Sequence, residues 1–307
     1  MPLKVAIIGG GGRVGSNAAF ALQCGGIVRQ IALLDVNQEL AEGEALDLLH
    51  GAHFCGDQDI YAATTPQIAD ADVVCITAGS RRKPDESRLD LINRNVSIFK
   101  GILEDLRNAN LKKDAIIFVV SNPVDVLTRL AIEHLNWNPA KVIGLGTMLD
   151  TTRFCSLIAE AKKLPPTQVK ALMLGEHGDT MSAIWSSATV AGMPLAAILS
   201  PNEQNQLAKR AAGSGAEVIR RKGGAGYAVG VAIAHVIHAI ALDKQTILPV
   251  SAQVNGQYGM RDVCLSLPTV IGREGVVKAL EIDLWPKEVS GIQSSAKALQ
   301  ATWDKLS

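Results

Sequence analysis

Ile7-Ile8-Gly9-Gly10-Gly11-Gly12-Arg13-Val14-Gly15 is the stretch that decides the fold. It follows an aliphatic run, Lys4 to Ile8, that reads as a strand, and it opens Arg13–Leu22, whose apolar residues recur at helical spacing. A turn without side chains between strand and helix lets a pyrophosphate reach backbone N–H groups at the positive end of the helix. Gly10, Gly12 and Gly15 fit GxGxxG, whereas Gly9, Gly12 and Gly15 fit GxxGxxG, and the residues leave the register open. Such a run alone is also compatible with an ordinary turn. Asp35 adds weight. It ends the next strand-like run about twenty residues on, where a carboxylate can accept a hydrogen bond from a ribose 2′-hydroxyl. It would repel a 2′-phosphate, and Val36-Asn37-Gln38 offers no arginine, so the expected cofactor is NAD rather than NADP.

Working outward, short β-branched runs recur at Ile31–Leu34, Val73–Thr77, Ala115–Val120 and Val142–Ile143, with a further short one near Asp59–Ala63. Helical patterns at Gln38–Leu49, Leu89–Arg107 and Val124–His134 lie between them. Alternation of this kind predicts an α/β fold: a Rossmann-type, doubly wound parallel sheet with helices on both faces. Past about Gly146 the pattern changes to a mixed α+β region. Strand-like runs lie at Gln168–Leu174, Ala183–Val190, Ile247–Val254 and Asp262–Ile271, and helical stretches at Asp150–Lys162, Asn202–Arg221, Val229–Leu242 and Pro286–Leu306. The expected division is a cofactor-binding domain over 1–146 and a substrate domain over 147–307, a comfortable size for two domains.

Lys plus Arg and Asp plus Glu number 30 each and no basic block stands out, which argues against a nucleic-acid or anionic-membrane partner. The five cysteines are scattered without a CxxC pair, so neither a zinc site nor a disulfide framework is indicated. Free thiols and an N-terminus that enters a strand at once point to the cytoplasm, with no leader peptide. Ala225 to Leu242 is apolar enough to suggest a membrane span, but its histidines and glycines make a buried helix the better reading. His235 and His238 share a helical face; without a carboxylate or cysteine nearby they read as packing residues, and no metal is expected.

Three polar groups remain. Leu174-Gly175-Glu176-His177-Gly178-Asp179 carries a histidine in a polar turn, Asp150 and Arg153 sit one helical turn apart, and a loop carries Arg81, Arg82 and Arg88. Each has a bland alternative: a structural histidine, a helix N-cap at Asp150, a surface salt bridge at Arg153. Together with Ala78–Arg88, Ser121-Asn122-Pro123-Val124-Asp125 and Gly144–Arg153, they make the chain resemble the lactate/malate dehydrogenase family over essentially its whole length.

The resemblance implies hydride transfer between NAD and a small 2-hydroxy acid. It gives His177 the role of general acid and base, Asp150 that of its partner, and Arg153 that of binding the substrate 1-carboxylate. Arg88 would polarise the reacting carbonyl beside Asn122, under a lid formed by Gly79–Arg88. It also assigns Gly9, Gly10, Gly12, Arg13, Val14, Gly15, Asp35, Ala78, Gly79, Asn95, Val120 and Asn122 to the cofactor. Arg82 stands six residues before Arg88, where lactate enzymes usually carry glutamine and malate enzymes arginine. A second substrate carboxylate is costly to bury without a cation. The expected substrate is therefore malate, a dicarboxylate, which would place the chain in the tricarboxylic acid cycle, with L-lactate or another L-2-hydroxy acid as the alternative. Ala225, where lactate enzymes carry threonine, favours malate too; Arg81 and Asp85 depart from the malate pattern. Two further readings, an NAD-dependent glycosidase and a non-catalytic NAD sensor, fit less well: the first needs a cysteine absent from Ser121-Asn122-Pro123, and the second has no use for His177 and its neighbours. A homodimer or homotetramer is implied.

Overall fold

The computed structural model describes residues 3–80 and 87–306. Its first half runs β1 (Lys4–Ile8), α1 (Arg13–Gly25), β2 (Gln30–Leu34), α2 (Gln38–Cys55), β3 (Asp59–Ala62), β4 (Val73–Ile76), α3 (Arg88–Asn108), β5 (Ile116–Val119), α4 (Val124–Leu135) and β6 (Val142–Gly144). These six strands are parallel and lie in the order β3-β2-β1-β4-β5-β6. β4 and β5 are buried along their whole length, because helices cover both faces. The order reverses between β1 and β4. At that switch point their carboxyl ends diverge and open the crevice in which such sheets bind ligands.

The second half holds α5 (Met148–Lys162), β7 (Val169–Leu174), β8 (Ser182–Val190), β9 (Met193–Pro194), α6 (Pro201–Lys222), α7 (Tyr227–Ala241), β10 (Thr246–Asn255), β11 (Arg261–Gly272), β12 (Gly275–Ala279) and α8 (Pro286–Trp303). The antiparallel character expected there is present, but β10, β11 and β12 do not form a sheet of their own. β10 pairs with β6 through Ser251 and Gly144, so the strands extend the parallel sheet to nine. β7, β8 and β9 make a separate three-stranded sheet.

α7 packs on α1 and buries Val229, Ile233, Val236, Ile237 and Ile240 in the same core as Val5, Ile7 and Leu22. This accounts for its nearly charge-free sequence: the helix is enclosed on most sides. Among the described residues no helix is long and apolar enough to cross a membrane. His238 is half-buried with its ring against Gly25, and His235 is exposed.

Candidate active site

The glycine turn is built as a close approach of backbone to backbone. Gly9 has φ +87°, a conformation that favours glycine, and a Cβ on Gly15 would lie 2.2 Å from the Gly9 carbonyl oxygen. A Cβ on Gly10 would lie 2.8 Å from Leu33 Cβ, so the steric demand falls on Gly9, Gly10 and Gly15, and both spacings remain compatible with it. Gly12 caps α1 without a side-chain hydrogen bond, which leaves the first-turn N–H groups to a ligand. Asp35 stands at the end of β2 and accepts from Gly11 N and Asn37 N, both at 3.1 Å. One such bond per oxygen leaves acceptor capacity for a ribose hydroxyl. A bare turn, an uncapped helix and a carboxylate at this spacing fit NAD. Replacing Gly15 by alanine is expected to weaken NADH binding by about tenfold to a hundredfold, since the atom it meets is backbone and cannot turn aside. A fluorescence titration of NADH checks this, and an unchanged Kd would show that the turn can widen.

The remaining residues expected at the cofactor divide. Ala78, Gly79 and Val120 lie just beyond β4 and β5, where Ala78 N and Val120 N donate to Ile8 O at 3.1 Å and Ile76 O at 2.9 Å. Asn95 is buried and acts as a strut: its Oδ1 accepts from Ser80 N at 2.8 Å and its Nδ2 donates to Asn122 O at 2.9 Å. Arg13 donates to the carbonyls of Lys222 and Gly224, 2.9 Å each, at the end of α6. Arg81, Arg82 and Asp85 lie outside the described residues, as does the side chain of Arg88.

His177, Asp150 and Arg153 are brought together. α5 starts at Met148, so Asp150 lies inside its first turn and is not its cap. Thr147, fully buried, fixes that end of the helix: its N–H donates to Ser266 Oγ at 2.9 Å and its hydroxyl to Met173 O at 2.5 Å. Thr151 Oγ1 accepts from Met173 N at 2.9 Å, so β7 and α5 are joined where His177 follows β7. Gly175 extends that strand by bonds in both directions with Ser266, 2.9 and 3.0 Å. The result is a contact of 2.5 Å between His177 Nδ1 and Asp150 Oδ2, and one of 2.9 Å between Arg153 NH1 and Asp150 Oδ1.

The electrostatics follow from burial and pairing. The Asp150 side chain is 2 % exposed. Burial pushes its pKa up, but the His177 ring and the Arg153 guanidinium outweigh that and hold the carboxyl below the usual aspartate range. Burial likewise disfavours the His177 imidazolium, yet the bond to Asp150, with Asp125 behind it, raises the histidine above its ordinary value. An ionised carboxylate only accepts, so the Asp150 contact places a proton on Nδ1 and leaves Nε2 for a ligand. Arg153 makes no other hydrogen bond among the described residues, so the rest of its fork is available to a carboxylate. One residue at this site was missed in the sequence: Asp125, whose Oδ2 accepts from the His177 backbone N–H at 2.7 Å.

Two family models match the chain: the lactate/malate dehydrogenase NAD binding domain over residues 3–144 and the lactate/malate dehydrogenase alpha/beta C-terminal domain over 147–307. The chain is 38 % identical over 304 residues to an L-lactate dehydrogenase of Acetivibrio thermocellus, covering 97 % of this chain and 95 % of that protein. An L-lactate dehydrogenase of Clostridium botulinum is 39 % identical over 311 residues, 99 % of this chain and 97 % of its own length. The ligand-bound crystal structure of the minor L-lactate dehydrogenase from Enterococcus mundtii superimposes with a TM-score of 0.95 at 36 % identity, covering 100 % of this chain and 99 % of that one. These relatives overturn the expectation of malate, with its dicarboxylate substrate and its place in the tricarboxylic acid cycle. That expectation rested chiefly on the charge of Arg82, with Ala225 in support. Charge matching selects a dicarboxylate only when the cation is buried without another counter-charge, and Asp85 brings an opposite charge three residues along the same loop.

Proposed function

The chain belongs to the lactate/malate dehydrogenase family and uses NAD(H), and on that premise we propose that it is an L-lactate dehydrogenase, interconverting L-lactate and pyruvate. The names of its relatives support the substrate, and the His177–Asp150 pair beside Arg153 carries the chemistry.

When bound, the nicotinamide supplies or accepts the hydride at the substrate's 2-carbon. His177 handles the accompanying proton at Nε2: it takes the hydroxyl proton when lactate is oxidised and gives one to the forming alkoxide when pyruvate is reduced. Asp150 keeps Nδ1 protonated and supports the imidazolium that reduction consumes. Arg153 grips the 1-carboxylate through its unpaired N–H groups and so orients the 2-carbon. Asn122, whose backbone carbonyl accepts from Asn95, is by family resemblance the donor to the reacting oxygen. Arg88 completes the set by family resemblance, as a cation beside that oxygen. A division into a cofactor half ending near 146 and a catalytic half after it belongs to the same reading. So does a cytoplasmic location, supported by five free cysteines. Exposed Leu46, Leu49 and Phe54 on α2, with Tyr227 and Val231 on α7, support self-association.

The test is NADH oxidation by the purified protein across a panel of 2-oxo acids, repeated with NADPH. Pyruvate is expected to give the highest kcat/KM, and NADPH a small fraction of the NADH rate because Asp35 repels the 2′-phosphate. A tenfold or greater preference for a 2-oxo dicarboxylate or a bulkier 2-oxo acid overturns the proposal.

A further inference from the structure

We propose that Asp125 is a positioning residue for the reaction: a second, fully buried carboxylate that fixes the His177 backbone from behind and supports the imidazolium across the turn. This rests on the reading of His177 as the proton carrier.

Asp125 lies in the first turn of α4, three residues after Asn122, which precedes the cap of that helix. It is 3 % exposed, and it accepts a hydrogen bond from a residue 52 positions away, through His177 N–H. Its Oδ1 is buried, and the neighbouring Ser251 hydroxyl on β10 favours the ionised carboxylate. A hydroxyl there can donate to the carboxylate but brings no positive charge. The charge is not neutralised locally either. Arg129, one turn on, is bonded to Glu133 at 2.7 Å and Gln300 at 2.9 Å and lies over the Trp303 ring. The other groups facing Asp125 are Glu176 on the His177 turn, which repels it, and the buried Cys264 thiol on β11, which burial keeps protonated. Among the described residues, only His177 offers a positive charge to this carboxylate at short range.

Burial is also what raises the Asp125 pKa, to about 6, against the opposing pull of the Ser251 hydroxyl and of His177. The sign matters. A carboxyl raised in the folded protein makes the ionised state unfavourable at neutral pH, so removing its charge does not cost stability there. A purely structural carboxylate predicts the reverse.

The test is Asp125→Asn, which keeps the shape and the acceptor for His177 N–H but removes the charge. The expected results are an unchanged or higher Tm at pH 7, a His177 imidazole titration moved to lower pH, and an equal acid shift in the pH limb of kcat/KM for pyruvate reduction. NADH affinity stays the same. Titration of the imidazole by NMR in the cofactor-free protein separates the role of Asp125 from that of His177. An unmoved imidazole overturns the role of Asp125, whatever the activity does. A moved imidazole with an unmoved kinetic limb overturns His177 as the proton carrier, and the positioning role with it. Should the variant fail to fold, the wild-type protein labelled with 15N-histidine decides. Only six backbone amides are then visible. That of His177 is expected to shift upfield as pH falls through the ionisation of Asp125, and an amide that ignores pH there overturns the contact.

Discussion

His177→Asn is expected to lower kcat for pyruvate reduction by about 10²–10⁴-fold while leaving the NADH Kd within about twofold. Asparagine fills most of the ring's volume and its amide can still meet Asp150, so the turn keeps its shape. What it lacks is a group that titrates near neutrality. A proton must still reach the forming alkoxide, and water has to provide it from a crevice shaped to hold substrate. The hydride donor, Arg153 and the glycine turn are untouched, which is why binding and catalysis should separate. Steady-state kinetics with a parallel fluorescence titration of NADH reads both quantities. Turnover within a few-fold of wild type would mean that another group carries the proton.

The parts of this protein that were legible in the sequence are those in which one residue type answers one local demand. Gly9 and Gly15 are required by a turn in which a Cβ would meet a carbonyl at 2.2 Å, and such a demand leaves glycine in the sequence. Strands buried on both faces leave aliphatic runs, so β1, β2, β4 and β5 were placed within a residue or two. Asp150, Arg153 and His177 were legible as a set because each is a polar residue with a separate chemical use.

Pairing at a distance was not. Nothing in Thr246–Asn255 says that this strand adds to the edge of the parallel sheet beside β6, because the choice is made by packing on helices far along the chain. Asp125 was read over for a similar reason: an acidic residue in the first turn of a helix is ordinary, since it favours the helix dipole. Only its burial, and the His177 amide 52 residues away, distinguish it. Arg82 shows the opposite error, in which one charge, with Ala225 in support, was given more weight than it carries against relatives that are L-lactate dehydrogenases.

Asp150→Asn is the other substitution with a large expected effect, and its direction can be derived from the geometry. The carboxylate serves two cations, with Oδ2 2.5 Å from His177 Nδ1 and Oδ1 2.9 Å from Arg153. An asparagine can offer only one oxygen. If its NH₂ turns to His177, Nδ1 must become the acceptor and the proton moves to Nε2, the tautomer that cannot accept from lactate. A loss of about 10²–10⁴-fold in kcat is therefore expected for lactate oxidation at pH 7. In the reverse direction the active form is the imidazolium, so activity falls as pH rises through the His177 pKa. Asp150 is what raises that pKa, and without it the fall sets in at lower pH. Stability responds in the acid range. The depressed Asp150 pKa contributes stability that is complete above the ordinary aspartate range and is lost as pH falls through the folded value. The variant should show a shallower loss of Tm on acidification than the wild type. Arg153 loses its buried counter-charge as well, so KM for pyruvate is expected to move along with kcat. A pH profile of pyruvate reduction whose basic limb stays where it is in the wild type would show that Asp150 does not control the His177 proton.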